Sequence, residues 1–147
     1  MPTQVPRAWA FFMKIITYNG QQYTALTFFV LSKGNNAGRP SLKPNTNSFM
    51  ITCSDDLEFK FGFAIATALH HSKTLKPFLR GSVIPFITIY DFKKVFNFHC
   101  ASKLSSIDTT LKISSLIING NKLISNLEQQ LAGCKRLITA NCQNFLK

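Results

Sequence analysis

"LKPFLRGSVIPFITIYDFKKV", Leu75 to Val95, is the stretch on which the fold assignment turns. Its first half reads as the end of a short apolar helix that stops at Arg80-Gly81, with Gly81 as a left-handed cap. The β-branched run Ser82–Tyr90 reads as a strand. Pro85 cannot donate to a ladder, so that strand sits at an edge or begins there. Asp91 is then expected to cap a single turn, Phe92–Val95, that displays Lys93 and Lys94. Read this way, the stretch builds a basic ledge. The plainer alternative is a packing crossover whose lysines are ordinary solvated charges.

Upstream, Asn19-Gly20 lies between β-prone runs and predicts a hairpin. Thr27–Ser32 and Ser48–Cys53 read as strands, joined by the loop Lys33–Asn47, which is rich in Gly, Asn and Pro. That loop carries Lys33, Arg39 and Lys43 and no acid. Asp55 with Glu58 three residues on makes a box-like helix start. Leu57, Phe61, Ile65 and Leu69 then recur at a four-residue spacing, and His70–Gly81 continues as a frayed end or a second short helix.

Downstream, the pattern changes at Asp108. Ile113, Ile117, Gly120, Ile124, Leu127, Leu131, Cys134, Ile138, Asn141 and Phe145 alternate spacings of four and three, which is a heptad seam. A continuous helix over that length would measure roughly 55 Å at 1.5 Å per residue. Asn119-Gly120-Asn121 is a turn signal that would instead fold it into a helical hairpin. Ile113, Ile117, Ile124, Leu127, Leu131 and Ile138 are the expected contacts with a second copy or a partner protein. The alternative is an amphipathic helix lying on its own domain.

The whole reads as α+β: a small twisted sheet packed by a short helix, with a long C-terminal, coiled-coil-like helix. Residues 13–107 form the α+β domain and 108–147 a helical arm. Residues 1–12 are a flexible arm or a start artefact, because Met13-Lys14 looks like a more natural beginning. The chain has 147 residues with 46% hydrophobic content, enough for one packed core. It carries 17 Lys plus Arg against 6 Asp plus Glu, a net charge of +11, which points to a polyanion such as nucleic acid. Four cysteines without a C-x-x-C pair read as reduced and buried, in a cytoplasmic protein. The longest apolar run, Phe61–Leu69, is far short of the roughly 20 residues a membrane span needs.

Six acids are few for an enzyme, and no catalytic motif is present, so no catalytic residue is expected. His70, His71, His99 and Cys100 lack the spacing of a metal site, and neither metal nor cofactor is expected. Lys33-Gly34-Asn35-Asn36-Ala37-Gly38-Arg39 is either a phosphate clamp, with glycine N–H groups exposed between cations, or a plain surface turn.

The order of these pieces resembles a single target recognition domain of the specificity subunits of type I restriction–modification systems. The matching residues are Gly34, Gly38 and Arg39, then Gly81, Ser82, Pro85 and Ile87, then Asp91, Phe92 and Lys93, followed by the heptad helix. The chain also looks like a group of short uncharacterised Bacteroides-type proteins that share "GSVIPFI". Where the specificity-subunit family has a proline-rich stretch and a Glu-Gln pair, this chain has Phe96–Asp108. The resemblance implies a non-enzymatic module for double-stranded DNA. Lys33, Arg39, Lys43, Arg80, Lys93 and Lys94 would then contact phosphates, and Asn35 and Asn36 would read bases. The alternative is an interaction or scaffold protein that keeps the fold without reading DNA.

Overall fold

The computed structural model describes residues 13–147; what was expected of residues 1–12 lies outside them. The chain divides into two compact units, one ending at Ser114 and one spanning Ser115–Lys147.

The first unit is α+β. Its antiparallel four-stranded sheet comprises β1 (Lys14–Thr17), β2 (Thr27–Leu31), β3 (Pro40–Ser41) and β4 (Ser48–Thr52), in the order β1-β4-β2-β3. The central pair, β2 and β4, places Phe28 opposite Ile51 and Val30 opposite Phe49, all buried. This face receives α1 (Asp56–His71) and α2 (Ile89–Lys103). Phe28 meets Phe59 and Phe63 of α1 edge-on, and Phe49 stacks on Phe92 of α2 at 5.4 Å. On the other face Phe29 is covered edge-on by Tyr18 and Tyr23. Each such buried ring contributes about 1.5–3 kcal/mol.

The Asn19-Gly20 hairpin does not form. β1 pairs with β4, and β2 lies beyond it. β2 is buried almost end to end, so it needs a strand on each side, and β4 and β3 supply them. Pro40 sits on the edge strand, where its missing N–H costs nothing.

α1 starts as its sequence predicts. Asp55 accepts from the Glu58 N–H at 2.7 Å, and the Glu58 carboxylate reaches back to the Ser54 N–H at 2.6 Å and the Ser54 hydroxyl at 2.7 Å. It ends at Ser72, followed by Lys73 at φ 58, and a single 3₁₀ turn, Lys76–Phe78, comes next.

The stretch read as a strand over Ser82–Tyr90 is not one. Arg80 and Phe86 exchange both backbone hydrogen bonds at 2.8 Å around a tight turn. Gly81 is the hinge of that turn, not a helix cap: its φ is +94, and a Cβ there would strike the Ile84 carbonyl. Thr88 then starts α2. Its hydroxyl accepts from the Asp91 N–H at 3.1 Å and donates to the Asp91 carboxylate at 2.9 Å. Asp91 therefore lies inside the helix, and Lys93-Lys94 belong to a 15-residue α2, not to an isolated turn. Phe92, Val95, Phe96 and Cys100 form its buried stripe.

The cysteines split. Cys53 and Cys100 are buried thiols whose pKa is pushed up to about 12, by burial first. Cys134 and Cys142 are exposed, against the expectation that all four are buried.

α3 (Ile107–Phe145) is one helix; Asn119–Asn121 does not break it. In the second unit it carries Ile124, Leu127, Leu131 and Ile138 exposed, as are Leu123 and Leu137. Among the described residues no helix is long and apolar enough to cross a membrane.

Candidate nucleic-acid interface

The loop Lys33–Arg39 is a pair of consecutive turns. The Ala37 N–H donates to the Gly34 carbonyl at 3.0 Å and the Arg39 N–H to the Asn36 carbonyl at 3.0 Å. The Gly38 N–H returns to the Leu31 carbonyl at 2.6 Å, at a φ of +91 that favours glycine. A Cβ on Gly38 would stand 2.7 Å from Leu75 Cδ1, so the glycine lets the loop pack against the segment after α1. The turn of Arg80–Phe86 braces the loop from its other side. The Gly34 N–H donates to the Pro85 carbonyl at 2.8 Å and the Ile87 N–H to the Ser32 carbonyl at 2.9 Å.

This geometry corrects the idea of a backbone phosphate cradle. The Gly34 and Gly38 amides are both spent on internal bonds. What the loop offers outward is side chains: Lys33, Asn35, Asn36 and Arg39 are all exposed. Lys43 is exposed in the next turn, which Ser41 holds through two bonds to the Lys43 backbone at 3.0 and 3.1 Å. Arg80 is not a free cation. Its guanidinium is paired with Asp91 at 3.0 Å, joining the base of the brace to the start of α2. Lys93 and Lys94 are exposed on α2.

In the sequence, His70 and His71 raise only the question of a metal site. Among the described residues no cluster could hold a metal ion. The structure instead turns the end of α1 toward the loop, leaving a cleft of about 380 Å³ between them. Asn35 stands on one wall, and His70, His71, Lys73 and Lys76 on the other, over the apolar Leu75. Burial holds the His70 pKa below its ordinary 6.5, and the neighbouring His71 and Arg39 add to the effect. The recoverable signal was "HHSKTLK", a cation-rich run on the exit of an acid-free helix end.

The seam residues of α3 are placed as expected on the helix. Ile113, Ile124, Leu127, Leu131 and Ile138 are exposed and Ile117 is partly so. Leu123 and Leu137 precede seam positions and widen the apolar face.

No curated protein and no solved structure matches the chain. The sequence model of a family of unknown function (DUF6943) matches residues 15–144, so the chain belongs to that family.

Proposed function

We propose that this member of the family is a non-enzymatic, DNA-binding module. One observation carries the reading. Lys33, Arg39 and Lys43 from the loop and its neighbouring turn, with Lys73 and Lys76 from beyond α1, lie in two chain segments without any acid, Lys14–Ser54 and Phe59–Tyr90. Four of the first unit's five acids are engaged elsewhere: Asp55 and Glu58 cap α1, Asp56 pairs with Lys60 at 2.7 Å, and Asp91 pairs with Arg80; the fifth, Asp108, lies in the first turn of α3 and does not line the cleft. The cations of the loop and cleft therefore present an uncompensated field to a polyanion. Phosphate contacts of this kind position the protein, and Asn35 or Asn36 would add any base preference.

Fluorescence anisotropy with a random 30-base-pair duplex pool at low and moderate salt tests this. If all five cations contact phosphate, the log–log salt slope is roughly −4.5, and Lys33→Ala or Arg39→Ala each makes it shallower by roughly 0.9. A flat salt dependence rejects the reading. Sequencing the retained fraction then separates base reading from simple charge attraction.

The exposed apolar face of α3 favours a second role alongside the first. Through it the chain would pair with another copy or with a partner protein; without DNA binding, that role alone would stand.

A further inference from the structure

We propose that the cleft between the Lys33–Arg39 loop and the exit of α1 seats one unstacked nucleotide of a single-stranded nucleic acid. The inference rests on the nucleic-acid reading above and goes beyond it, because duplex phosphates need only a convex basic surface, whereas this is a hollow.

The size fits. About 380 Å³ lies toward the small end of the roughly 300–1,000 Å³ that ligand pockets span, suited to a single base and its phosphate. The chemistry also fits a ligand that is anionic at one end and flat and apolar at the other. Lys73 and Lys76 supply two ammonium groups for phosphate, and no acid lines the cleft. Leu75 gives an apolar floor. His70 and His71 supply two imidazoles whose rings are 5.6 Å apart and inclined at 69°, so one presents a face when the other presents an edge. Imidazole faces stack on bases, and single-stranded readers use them so. A neutral imidazole and an amide each combine a donor with an acceptor, so His70 and Asn35 can pair with a base edge. Lys73 follows the last turn of α1 at φ 58 and lines the cleft with the two histidines.

The cleft's walls are set by packing independent of any ligand. Gly38 is seated against Leu75, and the loop is tied to the Arg80–Phe86 turn. A nucleotide would thus enter a preformed site, and the strand beyond it would run along Lys33 and Arg39.

The test titrates the full chain with a ten-base oligothymidylate and, separately, with the 30-base-pair duplex, while following the imidazole resonances by NMR. The chain's three histidines provide their own control, since His99 lies on α2 and does not line the cleft. The expected result is that the single strand shifts His70 and His71 and leaves His99 in place. His71→Ala should weaken the single strand roughly tenfold, in the range of a lost stacking partner, and the duplex less than threefold. Thymidine monophosphate should displace the oligomer where inorganic phosphate at the same concentration does not. Single-strand binding that leaves His70 and His71 unmoved overturns the cleft. Duplex binding without single-strand binding overturns it too, yet leaves the basic-surface reading standing. Binding of neither removes both.

Discussion

His70 shows how one side chain couples burial to the proposed binding. Desolvation lowers its pKa first, and the neighbouring His71 and Arg39 lower it further, with Lys73 and Lys76 lining the same cleft. The unfolded chain therefore binds the His70 proton more readily than the folded one. Stability from this group is complete above its ordinary 6.5 and declines as pH falls below it. An anion in the cleft has the opposite effect on the imidazole, favouring its charged form. Oligonucleotide affinity should therefore rise as pH drops from 7.5 toward 5.5, and His70→Gln should flatten that rise. Affinity that is level with pH in the unmodified chain would separate His70 from the bound anion. At this scale the sequence was only half legible. Lys33, Asn35, Asn36 and Arg39 could be read as exposed loop residues because polar and glycine-rich turns sit on surfaces. The partners of Arg80 could not: its pairing with Asp91 depends on a turn, Arg80–Phe86, that brings residues eleven apart into contact.

Among the elements, α2 was the longest one hidden from the sequence. Ile87-Thr88-Ile89-Tyr90 has the composition of a strand, and β-branched runs favour strands on average. Thr88 decides otherwise, because its hydroxyl satisfies an orphan amide at the helix start and Asp91 answers it. The stripe Phe92, Val95, Phe96 and Cys100 was there to be seen at three- and four-residue spacing, but a reading that stopped the helix at Val95 cut it in two. Thr88→Ala should cost about 1 kcal/mol of stability in denaturant unfolding, as a lost cap does. Thr88→Ser should restore most of it. A null effect would mean that the packing of Phe92 and Phe96 alone positions α2. By contrast, β2, β4 and α1 were legible almost to the residue, since a buried apolar run and a capping box are local signals that tertiary packing here reinforces. β3 was not, because two residues beside Val30 carry no pattern of their own.

For the whole molecule, charge and exposed apolar surface ask for different partners. The cations of the loop and cleft lie in the first unit, and the exposed stripe Ile124, Leu127, Leu131 and Ile138 lies on the second unit's helix. A stripe such as Ile124, Leu127, Leu131 and Ile138, exposed along one helix, marks an interaction surface more often than a bare one. Ile124→Glu with Leu127→Glu should therefore reduce the mass seen by light scattering to that of one chain, 16.5 kDa, while the duplex salt slope stays unchanged. An unmodified chain that already runs as a monomer at tens of micromolar would shift the α3 face from self-pairing to a different protein. Two linked copies would also raise apparent affinity for long DNA without any new contact, so the same variant should lose more affinity on long duplexes than on short ones.

The strand order has a consequence for how the chain comes off the ribosome. β4 is the last strand to be made, yet it stands between β1 and β2. A nascent chain that has not yet exposed Ser48–Thr52 can form only the β2–β3 contact, with β1 left waiting for a neighbour that does not exist. Phe28 then has neither β4 beside it nor α1 above it, and Phe29 lacks β4 beside it. Translation through residues 27–52 is the interval in which this sheet most needs a chaperone or a fast ribosome, and a truncation before Ser48 removes its centre.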